Sequence, residues 1–329
     1  MIQFIVHRSL TMVLTLWAIS IVAFAIIQLP PGDYLTAYVA QLNASGDQVD
    51  PATLDALREA YGLGEPFYVQ YFKWIGGIFS GDFGQSFEWR TSVTSLIWGR
   101  LGNSVLLEGL AVLAMWLVAL PIGIYAAVRK YSLGDYLTTV IGFIGLSIPN
   151  FLFALVFMYL GFVWFGETLG GLYSPPFEQA PWSFAKLWDF LTHAWIPVIV
   201  LATAGTAQLV RILRANLLDE LGKPYVVTAR AKGLKEWRLI LRYPVRVALN
   251  PLVSTIGWLL PTLISSSIVV SVVMNLPTTG PLLLKSLTSQ DMYLAGGIIL
   301  LLGALTIVGT LISDLILAWI DPRIRHGGS

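Results

Sequence analysis

The sequence predicts an all-α integral membrane protein with six transmembrane helices, an external insert after helix one and a cytoplasmic helical segment between helices four and five. Composition is the first observation behind this fold class, because 56% of the 329 residues are hydrophobic and only 12% are charged. A soluble domain carries about 25% charged residues. The second observation is a set of apolar runs of bilayer-spanning length, and the third is an uneven distribution of lysine and arginine.

The first apolar run, residues 9–29, resembles a signal peptide at first sight. It is longer than the apolar part of such a peptide, and it ends in Gln-Leu-Pro-Pro-Gly-Asp without a small-residue cleavage site. We therefore interpret it as a retained first span. The other spans are predicted at the following positions: about 103–128 with a kink at Pro121, about 136–165, about 195–209, about 252–274 and about 294–320.

These runs divide the chain into four parts. Residues 1–29 hold the N-terminus and the first transmembrane helix, and residues 30–100 form an external insert. Residues 101–320 form a core with five transmembrane helices, and residues 321–329 form a cytoplasmic tail.

The insert is predicted to be folded, because aromatic residues are interleaved with its acidic ones. Pro51, directly after Asp50, predicts the first turn of a helix that Gly62 or Gly64 would end. The aromatic side chains could bind a sugar, but a small core and an interfacial belt are the favoured interpretation.

Two connections in the core are rich in proline. Residues 166–194 are predicted as an interfacial loop with a short helix around 184–191. Residues 275–293 would lie at the outer mouth, where they could gate a path, and a re-entrant segment is an alternative for them.

The orientation follows from the basic residues. Fourteen of the 20 lysines and arginines fall on the side that carries both termini, and six fall on the other side with most of the acids. Cytoplasmic loops carry the excess of lysine and arginine. Both termini are therefore predicted to be cytoplasmic, and the insert external.

The basic stretch at residues 223–251 lies between spans four and five on that cytoplasmic side. Gly222 would follow one helix, Pro224 would begin the next, and Gly233 would close it in a left-handed conformation. Residues 235–242 could form one or two further turns before Pro244. A basic cytoplasmic loop without a partner, or a surface for anionic lipids, would show the same composition.

Within this stretch, the string Tyr225-Val-Val-Thr-Ala-Arg-Ala-Lys-Gly-Leu234 resembles the coupling-loop signature of ABC-importer permeases. The general signature has Glu, Ala, Ala and, after three residues, Gly, and here Val227 stands in place of the Glu. The Thr-Ala-Arg-Ala-Lys-Gly-Leu form is similar to the dipeptide, oligopeptide, opine and nickel branch. Further matching strings cover nearly the whole chain: Pro31-Gly-Asp33, Tyr61-Gly-Leu63, Gly81-Asp-Phe-Gly-Gln-Ser86, Pro149-Asn-Phe151, Asn250-Pro251 and Asp321-Pro-Arg-Ile-Arg325.

The resemblance implies a permease subunit in a bacterial or archaeal inner membrane. It implies a heterodimer with a second permease, two cytoplasmic ATPase subunits that bind ATP and Mg²⁺, and an extracytoplasmic solute-binding protein, in contact with membrane lipid and without nucleic acid. The cargo would be peptide-like or an oligosaccharide. The coupling helix that contacts an ATPase would comprise Tyr225, Thr228, Ala229, Arg230, Ala231, Lys232, Gly233 and Leu234.

Catalytic signatures and cofactor ligands are missing from the sequence. The chain has no cysteine and three histidines far apart, so a metal site is not predicted. Gly222-Lys223 is followed by Pro224 and does not belong to a phosphate-binding loop. We therefore expect no catalytic residues and no cofactor on this chain, and a membrane-bound enzyme is a remote alternative.

Polar side chains in or beside the spans are candidates for a solute path. Acids inside a bilayer are costly and often functional, but structural pairing is the alternative. A proton-coupled secondary transporter, working through Glu108 or Asp314, is therefore a second hypothesis. The candidate path residues are Glu108, Gln208, Asn275, Asp291 and Asp314.

Overall fold

The computed structural model describes residues 2–28, 39, 64–166 and 170–320, and these residues are almost entirely helical. An isolated antiparallel bridge joins Gln85 and Ser92, and a single 3₁₀ turn covers Pro175–Phe177. The helices are α1 (Ile2–Gln28), α2 (Phe67–Phe79), α3 (Val93–Val128), α4 (Leu133–Ser147), α5 (Asn150–Phe165), α6 (Phe184–Leu221), α7 (Pro224–Ala231), α8 (Glu236–Arg242), α9 (Pro244–Val273), α10 (Thr279–Thr288) and α11 (Met292–Ile320).

Among the described residues, three helices are long and apolar enough to cross a membrane: α3, α6 and the 292–315 part of α11. The pair α4 and α5 would be a fourth span if the two count together. Shorter apolar stretches lie in α1 at Leu10–Ala25 and in α9 at Thr262–Val273. The all-α fold, with three or four candidate spans among the described residues, is thereby confirmed, while the count of six spans stays a prediction.

The third span is not the single helix predicted at 136–165. It is broken into α4 and α5, which meet at an angle of 101°. Pro149 has no N–H and pushes the preceding residue toward the extended region. Ile148 is indeed extended, with φ −93° and ψ 123°, so the turn between the helices has a local steric cause.

Two predicted boundaries at Pro-containing spans were also wrong. α3 begins at Val93, ten residues before the predicted start, and continues through Pro121. α6 joins the short helix predicted around 184–191 to span four and to the helix predicted to end before Gly222, through Pro197, over 38 residues. A long helix tolerates an internal proline when neighbouring groups or small local adjustments satisfy the freed carbonyl.

The predicted connection at 275–293 contains the ten-residue helix α10. The predicted helix start at Asp50 and Pro51, the Gly62 stop and the tail at 321–329 lie outside the described residues.

The chain separates into two compact units, 1–104 with 278–307 and 105–277 with 308–329. In the first unit, an aromatic cluster joins α1 to α2: the Phe24 ring centroid lies 5.6 Å from that of Trp74 and 5.5 Å from that of Tyr71. Phe87 is also buried in this cluster. The predicted aromatic core is thus present for these side chains, whereas Phe79 is exposed.

In the second unit, α6 packs against α4, α5 and α9 and forms the centre of the hydrophobic core. Gly205 allows Met115 of α3 to come close, because a Cβ there would lie 2.4 Å from the Met115 sulfur. Small residues at helix interfaces permit such close packing in membranes. α6 also leads directly into α7, so the core of this unit positions the predicted coupling stretch.

Candidate functional site

The predicted coupling stretch forms two short helices, α7 and α8, joined by a tight turn; we call this part the α7–α8 segment. Pro224 occupies the first turn of α7, where its missing N–H costs no helical hydrogen bond. Gly233 has φ +77°, a left-handed conformation that glycine adopts without strain. Both local predictions are confirmed.

Three apolar side chains anchor the segment. Val226 and Leu239 are fully buried and Ile240 is 6% exposed. They belong to the same core as Leu213 and Leu217 of α6. Burying an aliphatic side chain of this size contributes about 1.5–3 kcal/mol, so three of them hold both helices firmly against α6.

The opposite side of the segment is exposed. All the predicted coupling residues except Ala229 are exposed: Tyr225, Thr228, Arg230, Ala231, Lys232, Gly233 and Leu234. Ala229 is half-buried and packs against the core. It therefore faces the anchored side, whereas Ala231 is available for close approach by another chain.

Arg230 forms an ion pair across the turn with Glu236. Its Nη2 lies 2.6 Å from Oε1 and its Nε 3.1 Å from Oε2. The guanidinium lowers the pKa of Glu236 below its ordinary value. Lys232 and Lys235 form no ion pair within the described part of the chain. These two lysines therefore carry positive charge that no acid compensates within the described residues.

Tyr225 connects the start of α7 to the end of α6. Its hydroxyl donates to Glu220 Oε2 at 2.5 Å. Burial and this carboxylate raise the pKa of Tyr225 to about 12. The phenol is therefore protonated at neutral pH and remains a donor.

A second ion pair lies where α4 meets α6. Arg214 donates from Nε to Asp135 Oδ1 at 2.6 Å and from Nη2 to Oδ2 at 2.7 Å. The Asp135 side chain is 3% exposed and also accepts the N–H of Tyr131 at 2.8 Å. This bidentate pair fixes the part of α6 that leads to the α7–α8 segment.

The sequence interpretation missed Asp135, although a signal for it was present. Ser132 and Asp135 have the spacing of a capping box, and the Ser132 hydroxyl accepts the Asp135 N–H at 3.3 Å. Recognising that spacing would have placed the helix start at Leu133.

The candidate path residues lie on several different elements. Glu108 of α3 accepts a hydrogen bond from the Ser267 hydroxyl of α9 at 2.6 Å. Gln208 is half-buried on α6, Asn275 is exposed just after α9 with φ +50°, and Asp314 is half-buried on α11. The bond between Glu108 and Ser267 is the interhelical pairing expected of polar groups in membranes.

Asp291 is fully buried in the first unit. Its Oδ2 accepts the Ser86 hydroxyl at 2.5 Å and the Glu88 N–H at 3.2 Å, and its Oδ1 accepts the Leu294 N–H at 3.2 Å. Burial raises its pKa, although these donors oppose the shift. A carboxylate that caps α11 and holds the 86–88 loop in this way favours a structural role over a path role.

A groove of about 300 Å³ runs along one side of the second unit, between α3, α4 and α6. Its lining is mainly apolar, with Thr138, Thr203 and Thr206 as polar members. Thr203 donates to the Ile199 carbonyl of its own helix, so its hydroxyl is satisfied without a solute. Among the described residues, no group of three or more His, Asp or Glu side chains is placed to hold a metal ion.

The long apolar helices are those of a membrane component, and the α7–α8 segment is its exposed basic surface. Comparison with known families makes this specific. The family described as the inner membrane component of binding-protein-dependent transport systems matches residues 119–326, and its N-terminal domain matches residues 1–108. The chain belongs to this family, which confirms the resemblance to importer permeases.

Curated relatives extend over the whole chain. The oligopeptide transport system permease protein AppB of Bacillus subtilis is 36% identical over 99% of this chain and 100% of its own. A putative peptide permease protein of Brucella ovis is 33% identical, with 99% of each chain covered. The dipeptide transport system permease protein DppB of Escherichia coli K12 is 29% identical, again over 99% of each. These relatives are permease subunits, and they give no support to the proton-coupled alternative.

Proposed function

We propose that this chain is one of two permease subunits of an ATP-driven importer for peptide-like solutes, and that its α7–α8 segment is the contact with an ATPase subunit. The full-length similarity to peptide permeases supports the class of cargo. The coupling role is assigned to the α7–α8 segment because one side of it is anchored in the core and the other side is exposed.

The proposed assembly contains a second permease, two ATPases with ATP and Mg²⁺, and an extracytoplasmic solute-binding protein. The lysine and arginine distribution supports an orientation with both termini in the cytoplasm. Six spans would result if α1 and α9 cross the bilayer together with the four candidates. Residues 30–100, apart from the start of α3 at Val93, would then form the external insert.

The physical basis of coupling is a difference in how the α7–α8 segment is held. Closure of the two ATPases on ATP would move the segment together with α6, because Val226, Leu239 and Ile240 join it to the α6 core. The solute path would then open toward the loaded binding protein. After hydrolysis, the segment would return, so that the two states differ by contacts at a defined surface.

Gly233 offers a sharp test of this proposal. Proline cannot adopt φ +77°, so Gly233→Pro should disorder the turn, reduce co-purification of the ATPase and abolish uptake of a labelled peptide. Gly222→Ala is the matched control, because Gly222 caps α6 with φ −84° and an added Cβ would meet only ordinary contact distances. Arg230→Glu, which reverses the charge facing Glu236, should weaken ATPase association in the same assay.

Retention of ATPase binding and uptake in both Gly233→Pro and Arg230→Glu would exclude the docking role. Peptide cargo is tested separately, by identifying the ligands that co-purify with the solute-binding protein. A non-peptide ligand there would refute the cargo assignment and leave the docking role intact.

A further inference from the structure

A second groove lies beside α8, and its lining includes none of the predicted coupling residues 225–234; we call it the Trp237 groove. Its volume is about 330 Å³. One wall is formed by Pro121, Ile124, Tyr125 and Val128 at the C-terminal end of α3 and by Arg129 directly after it. The other wall is formed by Trp237, Ile240 and Leu241 of α8. Both walls belong to the second compact unit.

The groove exposes large apolar side chains. Trp237 is 59% exposed, Leu241 51% and Tyr125 48%. Trp237 and Leu241 stand four residues apart, so they lie on the same side of α8. Apolar side chains are less stable exposed to water than covered by apolar material. The exposure of these side chains therefore indicates that something apolar covers them.

Basic residues surround the groove. Arg129 is part of the lining, and Lys130 follows it at the end of α3. Arg238 and Arg242 stand one turn apart on α8, with the Arg238 guanidinium 5.1 Å from the Trp237 ring centroid. Glu236, the one acid on α8, is already engaged by Arg230. The surroundings of the groove are therefore positive and complementary to an anion.

The position of the groove distinguishes between two kinds of occupant. Residues 121–128 form the last two turns of α3, a helix apolar enough to cross the bilayer. Apolar side chains at that level contact acyl chains, while the arginines just beyond them reach the headgroup region. A soluble partner protein would have to enter the acyl region to fill the same walls.

We propose that the Trp237 groove binds an anionic phospholipid, with an acyl chain along Pro121, Ile124 and Tyr125 and the phosphate between Arg129 and Arg238. Trp237 would lie between the acyl chain and the phosphate, as tryptophan does at membrane interfaces. The bound lipid would cover the apolar wall of α8 and fill the angle between α8 and the end of α3. This site goes beyond the proposed transport function and does not depend on the identity of the cargo.

The test uses the purified transporter complex in phosphatidylcholine nanodiscs with increasing fractions of phosphatidylglycerol. Photoactivatable phosphatidylglycerol should cross-link to peptides from 121–131 and 236–242, and a photoactivatable phosphatidylcholine should label them much less. Each basic residue near an anionic surface contributes about 1 kcal/mol. Arg129→Gln with Arg238→Gln should therefore weaken the phosphatidylglycerol dependence by about 30-fold at low salt.

Three further variants make the result specific. Lys223→Gln, an exposed basic residue outside the groove lining, should label as the wild type does. Arg129→Lys with Arg238→Lys should retain labelling within a few-fold, which separates charge from misfolding. Trp237→Ala should lower labelling by both lipids.

Equal labelling by the two lipids, or an equal loss in Lys223→Gln, would overturn the proposal. So would a double glutamine variant that labels normally but loses ATPase co-purification, because the groove would then be a protein contact. Failure of the peptide-transport assignment would leave the cross-linking result unchanged.

Discussion

The ion pair between Asp135 and Arg214 should be among the most stabilising polar contacts of the second unit. Two hydrogen bonds of 2.6 and 2.7 Å join the groups, and the Asp135 side chain is only 3% exposed. Arg214→Gln would leave that carboxylate buried with the Tyr131 N–H, at 2.8 Å, as its remaining hydrogen-bond donor among the described residues. Losing one partner of a buried pair costs about 3–5 kcal/mol, and because the Arg214 side chain is 29% exposed, we expect about 3 kcal/mol.

The assay is a double-mutant cycle on the purified complex, with the apparent melting temperature as readout. Arg214→Gln and Asp135→Asn should each lower it by about 6 °C, given about 2 °C per kcal/mol for a chain of this size. The double variant should lose much less than the sum, because neither buried charge is left alone. Arg211→Gln, on the same helix and without an ion pair among the described residues, is the control and should change little. Additive losses, or single losses no larger than that of Arg211→Gln, would refute the assignment.

Three further expectations concern smaller features. In thermal unfolding, Gly84→Ala should destabilise the protein by about 3 kcal/mol, because Gly84 has φ +83° and a Cβ there would lie 2.9 Å from the Tyr293 ring. Gly81→Ala, at φ +80° with nothing within 4 Å, should cost only the backbone strain of about 1–2 kcal/mol. Equal losses in the two variants would contradict the steric contact. The Arg230 ion pair lowers the pKa of Glu236, so its stabilisation is present above the ordinary carboxyl pKa of about 4.3 and is lost as the pH falls through the lowered folded value. Glu236→Gln should therefore accelerate hydrogen exchange in residues 232–236 at pH 7 but not in acid below the lowered pKa of Glu236, and a difference that persists there would point to another cause. Peptide uptake should be insensitive to an uncoupler in the wild type and in Glu108→Gln, and Ser267→Ala should lower thermal stability by about 1–2 kcal/mol. Uncoupler-sensitive uptake in the wild type that is lost in Glu108→Gln would revive a proton role.

Local stereochemistry explains what the sequence predicted correctly. Pro224 and Gly233 determine backbone conformation at their own positions, so the α7–α8 segment could be divided without knowing its surroundings. The same reasoning would have placed the break at Pro149, but the continuous apolar run on both sides of it concealed the bend between α4 and α5.

Partners distant in sequence explain what was missed. Residues 99–104 contain glycine, arginine, asparagine and serine, a composition typical of a loop, and the predicted start of span two therefore fell at Asn103. In the structure, Ser104 is 5% exposed and lies 3.0 Å from the Thr279 hydroxyl, 175 residues away. Asp135 and Arg214 are separated by 79 residues. No periodicity in a single sequence identifies such pairs.

The unbroken length of α6 has a mechanical consequence. At 1.5 Å per residue, its 38 residues form a rod of about 57 Å, nearly twice the thickness of a hydrocarbon core. Asp189 near one end accepts the Ser174 hydroxyl at 2.6 Å, and Arg214 and Glu220 secure the other end. Because each end is bonded to a neighbouring segment, the rod can transmit motion from one segment to the other. A tilt of only about 10° about one end carries the other end through about 10 Å.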